Sequence, residues 1–122
     1  MKYSSATHAL SVNPATGETL ASYPWATQEE VERAIALADA GFRHWRCESV
    51  AHRAQKLRDL GAALRGRAED MARMMSREMG KPIQQARAEV AKSAGLCDWY
   101  AEHGPAMLNA EPTQVENNNA VI

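Results

Sequence analysis

The spacing of apolar residues predicts helices through the middle of the chain. The first begins after Thr27, because Thr27-Gln28-Glu29-Glu30 fits a capping box in which the side chains at both ends bond to backbone N–H groups. Its apolar residues recur at steps of four and three: Val31, Ile35, Ala38, Phe42 and Trp45. Similar spacing predicts a second helix from about Ser49 to Arg65 and a third from about Ala68 to Met79. Gly80 is expected to end the third helix.

A fourth helix, predicted from about Pro82 to His103, carries two apolar faces. One face is formed by Ile83, Ala86, Val90, Ala94, Cys97 and Ala101. The nearly opposite face is small and apolar except for one lysine, and it consists of Ala88, Lys92, Gly95 and Trp99. A helix that is apolar on two sides is usually packed on both, and these 122 residues are not expected to cover both faces. Gly104-Pro105 is expected to end the helix.

The N-terminal residues predict two short strands around a turn. His8 to Val12 and Thr19 to Trp25 have an extended pattern. Between them, Asn13 to Glu18 contains Asn-Pro, which initiates turns, and Gly17, which can adopt positive φ without a steric penalty. We therefore expect an N-terminal β-hairpin segment over residues 1–26.

The C-terminal residues change in character after the fourth helix. Glu111-Pro112 and Asn117-Asn118-Asn119 are typical of turns and loops. Ala120-Val121-Ile122 is typical of the start of a strand. The expected organisation is thus a hairpin (1–26), a helical part (27–104) and an extended segment (105–122), and the predicted fold class is mostly α, with about four helices after a short β-hairpin.

Composition excludes several classes of protein. The chain has 14 Lys plus Arg and 15 Asp plus Glu, and this net charge of -1 argues against a nucleic-acid partner. No apolar run is long enough for a secretory signal or a transmembrane helix, so no membrane partner is expected. The two cysteines, Cys47 and Cys97, are too few for the disulfide framework of a small secreted domain. The expected compartment is the cytoplasm.

No constellation of reactive side chains emerges from the spacing. The histidines and cysteines lack metal-ligand spacing, and neither a G-x-G-x-x-G nor a P-loop motif occurs. Cys97 is interpreted as a small core residue and Cys47 as an incidental loop thiol. Core packing is also expected for the methionines of the third helix, which are Met71, Met74, Met75 and Met79. Lys92 is interpreted either as a snorkelling lysine or as a charge beside a pocket.

Several short motifs resemble the N-terminal region of aldehyde dehydrogenases. Asn13-Pro14-Ala15-Thr16-Gly17-Glu18 resembles the NPATGE turn of that family. Further matches follow in family order and spacing: Ala40-Gly41-Phe42-Arg43-His44-Trp45, Arg53-Ala54, Glu78-Met79-Gly80-Lys81-Pro82, Glu89-Val90 and Trp99-Tyr100-Ala101-Glu102. The fuller runs Arg77 to Ile83 and Cys97 to Pro105 are similar to the bacterial succinate-semialdehyde dehydrogenase branch. The resemblance implies the N-terminal part of the α/β aldehyde dehydrogenase fold.

The resemblance also implies an activity for the full-length protein. Members oxidise an aldehyde, here succinate semialdehyde, with NAD or NADP through a cysteine nucleophile and a glutamate base. In the family these groups lie beyond the region that corresponds to Ile122, so no catalytic, cofactor-binding or metal residue transfers to this sequence. The 122 residues by themselves are expected to be inactive and to bind no cofactor, and the complete protein is expected to be a homo-oligomer, with the strand at Ala120 entering its oligomerisation arm.

One weaker functional expectation comes from the same resemblance. The fourth helix of the family borders the substrate tunnel, so the face with Ala88, Lys92 and Trp99 is expected to border or approach it. Lys92 is expected to attract a substrate carboxylate, which succinate semialdehyde carries.

Two other classes of function stay open from the residues. One is a non-catalytic interaction module that docks on a full-length dehydrogenase through the second face of the fourth helix. The other is a free-standing helical enzyme, such as a chorismate-mutase-like bundle. The charged positions fall mostly on outward faces, which disfavours the bundle enzyme because it needs charged side chains inside.

Overall fold

Four helices lie between two antiparallel hairpins in the computed structural model, which describes residues 7–115 and 118–121. In chain order the elements are β1 (His8–Val12), β2 (Thr19–Pro24), α1 (Gln28–Trp45), α2 (Val50–Gly66), α3 (Ala68–Met79), α4 (Ile83–Met107), β3 (Pro112–Val115) and β4 (Asn118–Val121). The predicted fold class, mostly helical after an N-terminal hairpin, is confirmed.

Local sequence signals account for the starts and ends of several elements. The predicted capping box is present, with Thr27 Oγ1 accepting from the Glu30 N–H at 3.2 Å and Glu30 Oε2 accepting from the Thr27 N–H at 2.8 Å. Ser49 caps α2 by accepting from the His52 N–H at 3.1 Å. Gly80 ends α3 in the left-handed conformation, with φ of 69°. Each of these contacts joins residues that are only a few positions apart in the chain, so the local sequence is enough to predict it.

The N-terminal hairpin has the predicted turn. The Asn13 N–H donates to the Glu18 carbonyl and the Gly17 N–H donates to the Asn13 carbonyl, both at 2.8 Å. Gly17 has φ of 75°. The hairpin contacts α3 through the Ser11 hydroxyl, which donates to Glu78 Oε1 at 2.7 Å. This contact anchors the hairpin to the helical part through β1.

The central element of the helical part is α4, which packs against α2 on one side and α3 on another. Buried apolar side chains are mostly alanine: Ala54, Ala72, Ala86, Val90, Ala94 and Ala101. Gly61 of α2 is buried beside the Ala94 carbonyl. Small residues at these contacts let the helix backbones approach closely, so the predicted core face of α4 is confirmed at Ala86, Val90, Ala94 and Ala101.

The prediction that Gly104-Pro105 ends the fourth helix is wrong, because α4 continues to Met107 with Pro105 inside its last turns. Pro105 has no N–H to donate to the carbonyl four residues earlier. That carbonyl belongs to Ala101, and it accepts instead from Arg58 Nη2 of α2 at 3.3 Å. A side chain from a neighbouring helix thus replaces the missing backbone hydrogen bond.

The C-terminal segment also differs from the prediction. β3 and β4 pair antiparallel, with Pro112 opposite Val121 and Val115 opposite Asn118. The expectation of loop structure is therefore wrong at Pro112, Asn118 and Asn119, whereas the strand predicted at Ala120-Val121 is confirmed. Backbone pairing overrides the weak turn preference of these residues. Asn117 and Ile122, which belong to the same predictions, lie outside the described residues.

Much apolar surface stays exposed. No residue of α1 is buried, and its apolar face leaves Ile35 65% and Phe42 60% exposed. Core packing is wrong for Met74 and Met79, which are 56% and 70% exposed, although Met71 and Met75 are half-buried. Helical spacing identifies an apolar face correctly but does not say whether these 122 residues contain its partner.

Candidate functional site

The exposed face of α4 carries the residues that the sequence singled out. Ala88, Lys92 and Trp99 are all exposed, as expected for a second face without a partner among the described residues. Lys92 lines a shallow groove together with Ala88, Glu89, Ser93 and Leu96. Trp99 lies about two turns further along the helix. The structure therefore brings Ala88 and Lys92 together and places Trp99 on the same helix beyond that groove.

The charge of Lys92 is not neutralised by any side chain that the structure describes. Its neighbour Glu89 forms an ion pair with Lys81, at the start of the same helical region. An unpaired ammonium on a small apolar surface attracts anions. Lys92 therefore gives this part of the face a positive charge.

An aromatic cluster on α4 was missed by the sequence reasoning. The Trp99 ring stacks on the His103 ring with 4.6 Å between centroids, and it meets Tyr100 edge-on at 5.0 Å. His103 Nδ1 lies 2.9 Å from the Trp99 carbonyl oxygen, to which it donates. The spacing of four residues between Trp99 and His103 is the signal that predicts such a contact. The cluster gives this end of α4 a rigid aromatic surface.

Ion pairs join α4 to both of the helices on which it packs. The Glu69 carboxylate of α3 accepts from Arg87 Nε and Nη2, both at 2.9 Å, and from Arg73 Nε at 2.9 Å. On the other side, Asp98 pairs with Arg65 of α2 and raises the pKa of that guanidinium. Arg87 and Asp98 thus link α4 to two different helices, whereas the buried face of α4 sets which side of the helix is exposed.

The pH dependence of stability should reflect Glu69. Hydrogen bonds from Arg87, followed by those from Arg73, lower the pKa of the Glu69 carboxyl from 4.5 to about 2. A folded pKa below the unfolded value stabilises the protein above pH 4.5, and this stabilisation disappears as the pH falls toward 2. Glu69→Gln should therefore lower the urea midpoint at neutral pH, and the difference from the unsubstituted chain should shrink over that acid range.

Asp70→Asn is the matched control for this experiment. Asp70 also lies in the first turn of α3, so it has the same relation to the helix dipole, but it makes no ion pair with a described side chain. A pH-dependent difference of the same size for both variants would contradict the assignment to the Arg87 contact.

The remaining candidate groups show no catalytic arrangement in the part of the chain that the structure describes. Cys47 is exposed and its thiol donates to the Arg43 carbonyl at 3.4 Å, while Cys97 is half-buried. Within residues 7–115 and 118–121, no three His, Cys, Asp or Glu side chains are grouped to hold a metal ion. Nor does any described helix combine the length and apolar character needed to cross a membrane.

Comparisons with known proteins identify the family to which this sequence is similar. Residues 2–122 match the Aldehyde dehydrogenase family. The chain is 66% identical over 122 residues to a succinate semialdehyde dehydrogenase [NAD(P)+] of Escherichia coli, covering 100% of this chain and 26% of the relative. It is 42% identical over 101 residues to a succinate-semialdehyde dehydrogenase [NADP(+)] of Mycobacterium tuberculosis, covering 83% and 22%.

Solved structures agree with the sequence matches. Succinic semialdehyde dehydrogenase from Streptococcus pyogenes, in complex with NADP+, superposes with a TM-score of 0.84 at 25% identity, covering 92% of this chain and 25% of that one. The corresponding enzyme from Burkholderia pseudomallei gives a TM-score of 0.78 at 30% identity, covering 90% and 23%. The fold is thus that of the N-terminal part of these enzymes.

The chain spans about a quarter of the length of the relatives that it matches. The family match extends over nearly every residue of the chain. Residues 2–122 therefore belong to the aldehyde dehydrogenase family.

Proposed function

We propose that residues 1–122 form the N-terminal part of an NAD(P)-dependent dehydrogenase that oxidises succinate semialdehyde. The observation that carries this proposal is the 66% identity to the E. coli enzyme over the whole chain. The overall reaction consumes the aldehyde, water and oxidised cofactor, and it yields the acid, reduced cofactor and a proton. Hydride acceptance is the chemistry that the nicotinamide supplies when bound.

The contribution that we infer for these residues is structural. The sequence has no glycine-rich phosphate loop, and the described residues show no nucleophile paired with a base. The exposed apolar faces of α1 and α4 instead offer surfaces on which a catalytic region can pack. We therefore infer that cofactor and catalytic groups belong to a part of the full-length enzyme outside these residues.

A hybrid enzyme tests this proposal. Residues 1–122 replace the matching region of the E. coli relative, and NAD(P)H formation is followed with succinate semialdehyde. The hybrid is expected to be active, whereas the 122-residue chain by itself should produce no NAD(P)H above background. Turnover by the isolated chain, or a folded hybrid without activity, would contradict the proposal.

We further propose that the face with Ala88, Lys92 and Trp99 borders the substrate path and that Lys92 attracts the carboxylate of the semialdehyde. What supports this is the unpaired ammonium of Lys92 on an otherwise small, apolar and exposed helix face. An ion pair at a solvated site contributes up to about 1 kcal/mol. The expected role is therefore attraction of substrate and not catalysis.

Lys92→Met in the hybrid enzyme should raise KM for succinate semialdehyde about fivefold. KM for an uncharged aldehyde such as butanal should change little, because it has no carboxylate to attract. Lys56→Met is the control, since Lys56 is an exposed lysine on α2. Equal changes of KM for both aldehydes would contradict the proposal that Lys92 attracts the substrate carboxylate.

The second candidate function is a non-catalytic module that docks on a complete dehydrogenase. The exposed face of α4 and the unburied α1 favour it as the alternative. Affinity purification of the native product distinguishes the enzyme from the docking module. A polypeptide of about the relatives' length supports the enzyme, whereas a product of 13.4 kDa in complex with a separate dehydrogenase supports the module.

We also infer that the complete enzyme is a homo-oligomer in the cytoplasm. The free thiols of Cys47 and Cys97 suit a reducing compartment. Light scattering of the native enzyme tests the assembly.

A further inference from the structure

An apolar groove lies where the end of α1, the start of α2 and the end of α4 meet. The groove is open to solvent and has a volume of about 260 Å³. Its apolar lining includes Trp45, Val50, Leu57, Tyr100, Pro105 and Leu108. A second hollow continues it and shares Val50, Pro105 and Leu108. Trp45 and Tyr100 are 43% and 48% exposed here, so the groove presents large side chains without cover.

Arg53 is the charged residue in the lining of this groove. Its Nε atom is buried and has no hydrogen-bond partner among the described residues. Arg58, the cation that lines the second hollow, already donates to the Ala101 carbonyl. Among the described residues, no acidic side chain lines either hollow. A buried donor without an acceptor is costly, and a carboxylate is the acceptor that a guanidinium binds most strongly.

We propose that this groove docks an acidic and apolar segment of the same polypeptide that lies outside residues 1–122, with a carboxylate of that segment pairing with Arg53. The proposal rests on the proposed function, because it requires a polypeptide of the relatives' length. This chain covers 26% of the E. coli relative, so most of such a protein lies outside these residues.

The lining explains the chemistry of the occupant. Apolar side chains of the incoming segment displace water from Trp45 and Tyr100, and its carboxylate pairs with Arg53. A segment of the same polypeptide has a large effective concentration at the site. It therefore fills the groove more readily than a second copy with the same contacts.

Zero-length cross-linking identifies the partner of Arg53 directly. Arg53→Lys in the hybrid enzyme keeps the positive charge and introduces a primary amine. A water-soluble carbodiimide activates a carboxylate as an O-acylurea, the amine attacks the acyl carbon, and an amide forms with loss of the urea. Mass spectrometry should find this amide to an Asp or Glu C-terminal to residue 122, within a product of monomer mass.

Other outcomes of this cross-link overturn the proposal. They are an amide to a carboxylate within residues 1–122, a product of dimer mass, or no cross-link beyond that of the Arg33→Lys control. Arg33 is exposed, lies on α1 away from its apolar face and lines neither hollow. The outcome does not depend on turnover, so a hybrid that is inactive on succinate semialdehyde but cross-linked would refute only the proposed function.

Heat inactivation gives a second test. Arg53→Met keeps an unbranched apolar stem but removes the guanidinium and its charge, and it should speed inactivation of the hybrid about tenfold. Arg33→Met should change the rate less than twofold. Equal rates for the two variants would show that Arg53 has no acidic partner in the assembled enzyme.

Discussion

Gly61→Leu is expected to lower the free energy of unfolding by about 3 kcal/mol. A Cβ atom at this position would lie 2.9 Å from Asp98 Oδ1 and 3.2 Å from the Ala94 carbonyl oxygen. The Asp98 side chain can move, although this weakens its ion pair with Arg65. The Ala94 carbonyl belongs to the α4 backbone, so a leucine can be accommodated only if α2 and α4 move apart.

Urea unfolding of the 122-residue polypeptide, followed by far-UV circular dichroism, measures this effect. Gly66→Leu is the matched control, because Gly66 lies on the same helix and a Cβ there meets nothing within 4 Å. The control should be neutral or stabilising, since leucine is a better helix former than glycine. Similar midpoints for the two variants would show that the close approach of α2 and α4 does not limit stability.

Gly80→Val is expected to cost about 2 kcal/mol through two separate effects. Gly80 has φ of 69°, a conformation that a β-branched residue adopts only with strain. A Cβ atom would also lie 3.2 Å from Pro14 Cγ of the N-terminal turn. The substitution should therefore distort the end of α3 and push the hairpin away from it.

Gly17→Val separates these two effects. Gly17 has φ of 75°, but a Cβ there meets nothing within 4 Å, so the control carries the backbone strain without the contact. The loss in urea midpoint should be larger for Gly80→Val. A more detailed measurement is proteolysis of the hairpin, which should accelerate for Gly80→Val and not for Gly17→Val. Equal proteolysis would contradict the anchoring of the hairpin on α3.

The candidate site could be predicted only in part. The helical period placed Ala88, Lys92 and Trp99 on one exposed face of α4, and the structure confirms that exposure. It did not reveal the stacking of His103 on Trp99. Nor did it single out Arg53, whose unpaired Nε depends on three helix ends meeting in space. Contacts of that kind have no fixed spacing in the sequence.

The sequence by itself determined the features that depend on neighbours within about one helical turn. Thr27, Ser49 and Gly80 act through hydrogen bonds or dihedral angles of nearby residues, so their roles could be deduced without the fold. The NPATGE turn between β1 and β2 is equally local. The family resemblance also followed from the order of such short motifs.

Only the tertiary structure decided how these elements are completed. Pro105 stays inside α4 because Arg58, 43 residues from Ala101 in the chain, supplies the missing donor. Residues Pro112–Val115 form a strand because Asn118–Val121 pairs with them. Exposure of α1, Met74 and Met79 was likewise beyond the sequence pattern. A periodic pattern shows which face of a helix is apolar. Whether that face is buried depends on which other parts of the protein pack against it.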